Sequence, residues 1–278
     1  MTIAITGATG QLGQLALTAL KSRTPQADVV ALARDPSRIT GTSARAFDYT
    51  KPETHAAALK GVKTLVLVSS NDFNDRAGQH RAVIASAKAA GVSRIVYTSI
   101  LKGDASPMIL AADHIATEQA LQASGIPTTI LRNGWYTENY TGSLQAAQDH
   151  GALIGSMGTG QIATAARADY AEAIAVTAVD DSHAGKIYEL AGDVPFTMHD
   201  FAAELSKQVG KPIAYNSLPP ATYAGLLQNF GLPEVLSQAL ADSDDHASRG
   251  ALLDHSRTLS ALIGRPTTPI AATIKAAL

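Results

Sequence analysis

The chain has 278 residues and a formal net charge of −2 at pH 7; 46% of it is hydrophobic and 17% charged. That is enough for one large α/β domain or two smaller ones around a sizeable core, and without a Lys/Arg block it offers no nucleic-acid surface. The absence of cysteine excludes disulfides, thiolate catalysis and Cys-ligated zinc, and no other metal-ligand spacing stands out. No apolar run nears the ~20 residues of a membrane span, and the N-terminus does not read as a signal peptide. The expectation is a soluble, cytoplasmic protein.

In chain order, the first predicted strand is Ile3-Ala4-Ile5, apolar throughout as a strand buried on both faces requires. Gly7, Ala8, Thr9, Gly10, Gln11, Leu12 and Gly13 follow, and Leu12, Leu15, Leu17 and Leu20 mark the apolar face of a helix. The glycines thus sit at a strand-to-helix turn. There, backbone N–H groups and the positive end of the helix dipole can meet a dinucleotide pyrophosphate. Gly7 suits the turn, Gly10 lets the backbone approach the phosphates, and Gly13 lets helix and strand pack closely. The spacing is Gly-x-x-Gly-x-x-Gly, not the commoner Gly-x-Gly-x-x-Gly.

The second strand, 28–33, ends at Arg34-Asp35-Pro36-Ser37-Arg38. Where a NAD site would place an acid on the ribose 2′-hydroxyl, this chain has Arg34, and Arg38 adds a second cation. Both suit a 2′-phosphate, so NADPH is expected over NADH. Asp35 dissents, since turned inward it could serve a ribose. Residues 46–49 look like the end of a third strand, whose Asp48 either caps the next turn or bonds the adenine amine.

A short helix at 52–60 precedes a buried strand, 64–68, that ends at Ser69, Ser70 and Asn71. With Thr98, at the end of a fifth strand over 94–97, these polar residues at the carboxyl edge of the sheet are expected to face the cofactor crevice. Helices are predicted at about 76–90, where Gln79-His80 reads as a plain helix start, and at about 108–124. The sixth strand, 128–131, runs into Arg132-Asn133-Gly134-Trp135-Tyr136-Thr137-Glu138-Asn139-Tyr140.

Six strands alternating with helices predict an α/β fold, a Rossmann-type doubly wound parallel sheet over 1–150. Residues 151–278 bring a glycine-rich loop, a helix from Arg167 to about Val179, a strand at 186–190 and five further helices. They are expected to form a smaller, mostly helical substrate lobe, with some segments returning to the sheet and substrate between the lobes.

Thr6–Gly13 with Arg34 resembles the extended and atypical short-chain dehydrogenase/reductases. Gln79-His80-Arg81, His114–Glu118, Leu131–Tyr140, Arg167–Tyr170, Tyr188–Asp193, Ala241–Asp244 and Leu262–Thr268 narrow the resemblance. The chain is similar to NmrA-like members, and over essentially its whole length to the bacterial type 2 NAD(P)H:quinone oxidoreductases. The triphenylmethane dye reductases share the glycine motif and the His-x-x-x-Glu segment, but fit the Asn-Gly-Trp-Tyr stretch less well. The resemblance implies NADPH binding by the glycine loop, Arg34, Ser69 to Asn71, and Asn133, Gly134, Trp135, Tyr136, Thr137 and Glu138. It also implies a quinone over the nicotinamide, with no flavin and no metal.

Ordinary short-chain dehydrogenases protonate the carbonyl oxygen from a Tyr-x-x-x-Lys dyad. None of the eight tyrosines here has lysine four residues on. A ketone taking up hydride needs that acid. A quinone becomes a phenolate-like oxyanion, near the ~10 of a phenol, and can take its proton from water. The protein then supplies mainly proximity, and Asn133 with backbone N–H groups can steady the oxyanion.

His114 shares a helix face with Glu118. Many NmrA-like relatives have lysine at this position. The histidine could donate a proton near neutral pH, bond the nicotinamide ribose, or pair with Glu118 with no chemical part. Tyr136 and Tyr140, one helical turn apart, could wall a planar substrate or, like Trp135, simply pack.

The expected function is NADPH-dependent reduction of quinones, with His114, Tyr136 and Asn133 as candidate catalytic residues. The alternatives are an NADP(H)-sensing regulator without turnover and a reductase of another planar acceptor, such as a triphenylmethane dye. No self-complementary surface is marked, and a homodimer stays open.

Overall fold

Short apolar runs at 3–5, 29–33 and 65–67 set the centre of the computed structural model, which describes residues 2–25 and 28–278. In chain order its elements are β1 (Thr2–Ile5), α1 (Gln11–Arg23), β2 (Asp28–Ala33), β3 (Ser43–Ala46), α2 (His55–Ala58), β4 (Thr64–Leu67), α3 (Arg76–Ala89), β5 (Arg94–Ile100), α4 (Ala111–Ser124) and β6 (Thr128–Asn133). There follow α5 (Glu138–Thr141), α6 (Leu144–His150), β7 (Ala152–Gly155), β8 (Gln161–Ile162), α7 (Arg167–Val179) and β9 (Ile187–Leu190). The chain ends with β10 (Phe196–Thr197), α8 (Met198–Val209), β11 (Ala214–Ser217), α9 (Pro220–Asn229), α10 (Glu234–Ala247), α11 (Thr258–Ile263) and α12 (Ile270–Ala277).

Two units divide these elements. The first holds the chain up to Gly103, Asp113–Asn133 and Arg167–Tyr188. The second holds Asp104–Ala112, Gly134–Ala166 and Glu189–Leu278. Residues 134–150, expected with the first unit, thus count with the second.

The central sheet runs β3-β2-β1-β4-β5-β6-β9. β1 pairs in parallel with β2 on one side (Ile3 beside Val29) and with β4 on the other (Ile3 beside Thr64). The order reverses there, which opens a crevice at the carboxyl ends of these strands. The sheet has seven strands, the six predicted for the first half and β9, the strand expected at 186–190, which returns to it. Gly185 N–H donates to Thr128 O at 2.9 Å, Ile130 N–H to Lys186 O at 2.9 Å, and Gly134 N–H to Leu190 O at 2.7 Å. Both chains advance together, so β9 is parallel to β6. It lies at an edge and leaves Ile187 54% exposed, a weaker apolar signal than the inner strands carry.

Other boundaries shift for local reasons. β3 stops at Ala46, not Tyr49, because Asp48 closes a turn by accepting from Thr50 N–H at 3.0 Å and Thr50 Oγ1 at 2.9 Å. The capping reading of Asp48 is the one its contacts support. Tyr49 instead donates to Val68 O at 2.5 Å and lies 2.6 Å from Thr6 Oγ1. β5 runs on to Ile100, and α4 starts at Ala111 rather than Met108.

Arg94, the buried first residue of β5, donates to the carbonyls of Thr177 (2.7 Å), Ala178 (2.7 Å) and Asp180 (3.0 Å). It satisfies the C-terminal carbonyls of α7, which packs on α1.

The second unit is mostly helical, with β7 parallel to β11 and β8 antiparallel to β10. The turn after β7 is anchored by side chains: Ser156 N–H donates to Asp244 Oδ2 (2.8 Å), Met157 N–H to Tyr215 Oη (2.9 Å) and Gly158 N–H to Ser217 Oγ (2.9 Å).

Burial pushes the Asp244 carboxyl up to about 6, against the lowering effect of the Ser156 N–H bond. Because this lies above the unfolded value of 3.8, the folded chain holds the proton more tightly. The resulting stabilisation is complete below the unfolded value and is lost as pH rises through the folded one. Asp244→Asn keeps an acceptor for Ser156 and removes the buried charge. At about pH 8 it should stabilise the protein by on the order of 2 kcal/mol and flatten the pH dependence of the unfolding midpoint. Thermal melts across pH check this; a variant less stable than wild type at that pH contradicts it.

Candidate functional site

The turn between β1 and α1 is shaped by two glycines. Gly7 has φ +60°, a left-handed conformation that suits glycine. A Cβ on Gly13 would stand 2.1 Å from Gly7 O and 3.0 Å from Ala8 Cα. The close packing expected at Gly13 therefore exists, but against the turn itself. Gly10 N–H donates to Gly7 O at 2.8 Å, and Ala8 N–H to Leu32 O at 3.3 Å. Gly10 is the N-cap of α1 and supplies no side-chain cap, so the N–H groups of the first turn have no intrahelical acceptor. Gln11 is exposed and Leu12 is buried in the core. Thr9 O accepts from Gln14 Nε2 at 2.9 Å, which steadies the loop.

At the end of β2, Arg34 and Arg38 are exposed. Asp35 is turned into its own cap: Oδ1 accepts from Ser37 N–H at 3.1 Å and Ser37 Oγ at 2.6 Å. These two bonds hold its carboxyl below the usual range, helped by Arg38. The inward rotation that would serve a ribose diol is not the arrangement present. Neither guanidinium holds a hydrogen bond or salt bridge among the described residues, so both can turn to a phosphate.

Beyond β4 the polar residues divide. Asn71 is exposed, and Ser69 Oγ reaches Ser70 O only at 3.4 Å. Ser70 and Thr98, expected to face the crevice, are buried and engaged internally. Ser70 Oγ donates to Gln79 Oε1 at 2.9 Å, Ser70 N–H donates to His80 Nε2 at 3.0 Å, and Thr98 Oγ1 accepts from Ser69 N–H at 2.8 Å. Gln79 Nε2 also reaches Asp72 Oδ2 at 2.6 Å. Gln79 and His80 are therefore the struts of this loop rather than a plain helix start. The available signal was a polar pair one turn past the N-cap Asp75.

On α4, Glu118 does not pair with His114. Its carboxylate accepts from Arg132 Nε at 3.0 Å, from Arg132 Nη2 at 2.7 Å, and from Ser99 Oγ at 2.5 Å. His114 Nδ1 instead lies 2.8 Å from Tyr97 Oη. Burial, then the charges of Arg76 and His80, push the His114 imidazole down to about 3. It is neutral at physiological pH, which removes the reading of His114 as an acid that loses its proton near neutrality. Asn133, at the end of β6, is 4% exposed, and neither Nδ2 nor Oδ1 has a partner. A buried amide left unpaired costs stability; a bound polar group at this point would relieve that cost.

In the second unit, the stretch after Asn133 is extended, not helical. Gly134 N–H bonds Leu190 O, Tyr136 bridges Ala165, and Thr137 N–H donates to Ala165 O at 3.0 Å. Thr137 is buried, with Oγ1 2.8 Å from Thr164 Oγ1. Trp135, Tyr136 and Glu138 are half-buried, and α5 begins only at Glu138. Tyr136 and Tyr140 therefore share no helix face, and the Tyr140 ring packs on Phe201 at 5.8 Å. Among the described residues, no cluster of three or more His, Asp or Glu could hold a metal ion.

The sequence profile of the NAD(P)H-binding family matches residues 7–181. The chain is 50% identical to quinone oxidoreductase 2 of Escherichia coli, over 98% of this chain and 97% of that protein. The crystal structure of an NADPH-dependent quinone oxidoreductase from Escherichia coli complexed with NADPH superposes with a TM-score of 0.94, at 49% identity and over 99% of each chain. The Citrobacter sp. triphenylmethane reductase complexed with NADP(H) gives 0.93, at 33% identity, over 99% of this chain and all of that one.

Gly10→Val would put a branched side chain over the bare N–H groups at the start of α1. Its Cβ meets only Gly7 O, at 3.2 Å. Dinucleotide binding should fall below detection in a titration while the thermal unfolding midpoint changes little; unchanged affinity would remove this turn from the site.

Proposed function

This chain belongs to the NAD(P)H-binding family, and we propose that it is an NADPH-dependent reductase that passes two electrons to quinones without flavin or metal. The state of its candidate acids is the observation that supports this reading. His114 is held neutral, burial raises the Tyr97 phenol well above its ordinary range, and Glu118 is locked to Arg132. A ketone would need one of these groups to give up a proton as hydride arrived. A quinone accumulates charge as a phenolate-type oxyanion, stable enough to wait for water.

NADPH bound to the glycine turn supplies the hydride. The chain's own residues bind and orient. The N–H groups opening α1 receive the pyrophosphate, and Arg34 and Arg38 receive the 2′-phosphate. Asn133 offers a buried donor and a buried acceptor, both unengaged, to the reacting pair. Tyr136 is the residue we place nearest the acceptor. Ser70, Thr98 and Thr137 act at one remove, by holding the loops through the internal bonds described above. We place the enzyme in the cytoplasm, acting on small planar acceptors with no nucleic-acid partner. No helix among the described residues is long and apolar enough to cross a membrane.

NADPH oxidation followed with a panel of benzoquinones, a triarylmethane dye and simple ketones tests the reading. Saturable turnover is expected with quinones and none with ketones. Turnover with the dye alone would move the assignment to the second acceptor class, which the likeness to the Citrobacter enzyme favours. Brisk ketone reduction would overturn it. Arg34→Ala should weaken NADPH binding by roughly 1.5–3 kcal/mol, more than tenfold, and leave NADH nearly unchanged. Calorimetric titration of both cofactors checks this; equal losses would take Arg34 away from the 2′-phosphate.

A further inference from the structure

The buried phenol of Tyr97 has no part in the chemistry above, yet it is the group that His114 touches. Tyr97 and Ser99 project from one face of β5, two residues or roughly 6.6 Å apart. His114 and Glu118 stand one turn apart on α4, roughly 6 Å along its axis. The two spacings match, so both pairs close: Tyr97 Oη is 2.8 Å from His114 Nδ1, and Ser99 Oγ donates to Glu118 Oε1 at 2.5 Å. Arg132, opposite Ser99 in the register of β5 and β6, secures the second rung. Helix α4 is docked on β5 by this two-rung polar ladder.

The direction of the first rung follows from the neighbouring hydrogen bonds. Thr117 Oγ1 donates to Asp113 O at 2.7 Å and lies 2.9 Å from His80 Nδ1. His80 Nε2 accepts from Ser70 N–H, so His80 carries its proton on Nδ1 and gives that hydrogen bond to Thr117. The Thr117 hydroxyl thus gives its own proton to Asp113 and already takes one hydrogen bond, which leaves it the weaker of the two acceptors beside Tyr97. The unprotonated imidazole nitrogen of His114 is then the strongest acceptor within reach of the Tyr97 hydroxyl. A neutral ring that accepts at Nδ1 carries its own proton on Nε2, and Nε2 of His114 has no partner among the described residues. The groups facing this ring are Tyr97 from β5 and Arg76 and His80 from α3. On α4 itself, Asp113 lies 4.0 Å from Arg76, and Glu118 is taken by Arg132.

We propose that His114 serves as a neutral Nε2–H donor to an oxygen of the bound quinone, and that Tyr97 is the positioning residue that fixes this tautomer. The inference rests on the quinone-reductase reading. No proton leaves His114: hydride adds to the quinone, its oxygen gains the charge and is steadied by Nε2–H, and the quinol takes its proton from water.

Nitrogen-15 spectra of the histidine-labelled full chain, assigned with His114→Gln, test the tautomer directly. We expect protonated Nε2, bare Nδ1 and no titration between about pH 5 and pH 9. A protonated Nδ1, or a titration in that range, overturns the proposal. Tyr97→Phe should redistribute the tautomers of His114 and lower kcat with 1,4-benzoquinone by roughly three- to tenfold, leaving NADPH affinity unchanged. Ser99→Ala removes the other rung and should leave the His114 spectrum as in wild type; the same spectral change in both variants would reduce Tyr97 to a merely structural prop and overturn the proposal. A wild-type chain that binds NADPH but reduces no quinone sinks the functional reading. A chain that reduces quinones while Tyr97→Phe alters neither kcat nor spectrum sinks this inference alone.

Discussion

The space denied to a side chain at Gly13 governs the first unit. With Gly7 O 2.1 Å from where a Cβ would lie, α1 can start only where it does, directly over the turn that leaves β1. Thr6, just before the turn, ties the neighbouring strands to it. Its hydroxyl lies 3.2 Å from Val66 O, accepts from Val68 N–H at 2.9 Å, and meets Tyr49 Oη at 2.6 Å. The carboxyl ends of β1 and β4 and the segment after β3 are thus joined through one hydroxyl. A sheet mouth held this way presents backbone N–H groups at fixed positions, which is what a phosphate requires of a protein.

The polar residues around that mouth are mostly occupied with each other. Ser70, Gln79, Asp72 and His80 hold one loop, and Ser99, Glu118 and Arg132 hold α4 against the strand ends. Asn133 differs, because its amide is buried with both atoms unengaged. On the function proposed above, such a site would bind through backbone and exposed arginines and leave its reactive chemistry to a cofactor. On that reading, a chain that resembles the short-chain dehydrogenase/reductases would operate without their tyrosine–lysine dyad, provided the acceptor tolerates negative charge.

Local rules made much of this legible in the amino-acid order. The apolar run of β1, the glycine spacing and the cation at the end of β2 are all written within ~35 residues, and each follows from a short-range steric or electrostatic rule. What escaped was long-range. Nothing near Glu118 says that its partner is Arg132 and not the histidine one turn away. Tyr136 looks helically spaced from Tyr140, and only pairing with Ala165 makes that stretch extended. A strand at 186–190 and a return to the sheet were legible, but the place of β9 beside β6 was not, since it rests on backbone hydrogen bonds to Thr128, Ile130 and Gly134, more than fifty residues earlier. Ser70 and Thr98 sit where an open mouth would use them, but the loop closed on their hydroxyls first.

The clamp of Arg94 on the end of α7 bears on how this chain comes off the ribosome. The guanidinium enters a buried strand, and its Asp180 acceptor lies 86 residues downstream. Until that segment emerges, the nascent sheet carries an interior cation whose proper neighbours do not yet exist, and water must hold that edge open. Closure of the nucleotide-binding half therefore waits on a stretch of chain made after Asp104–Ala112 and Gly134–Ala166 of the second unit, and before the rest of that unit.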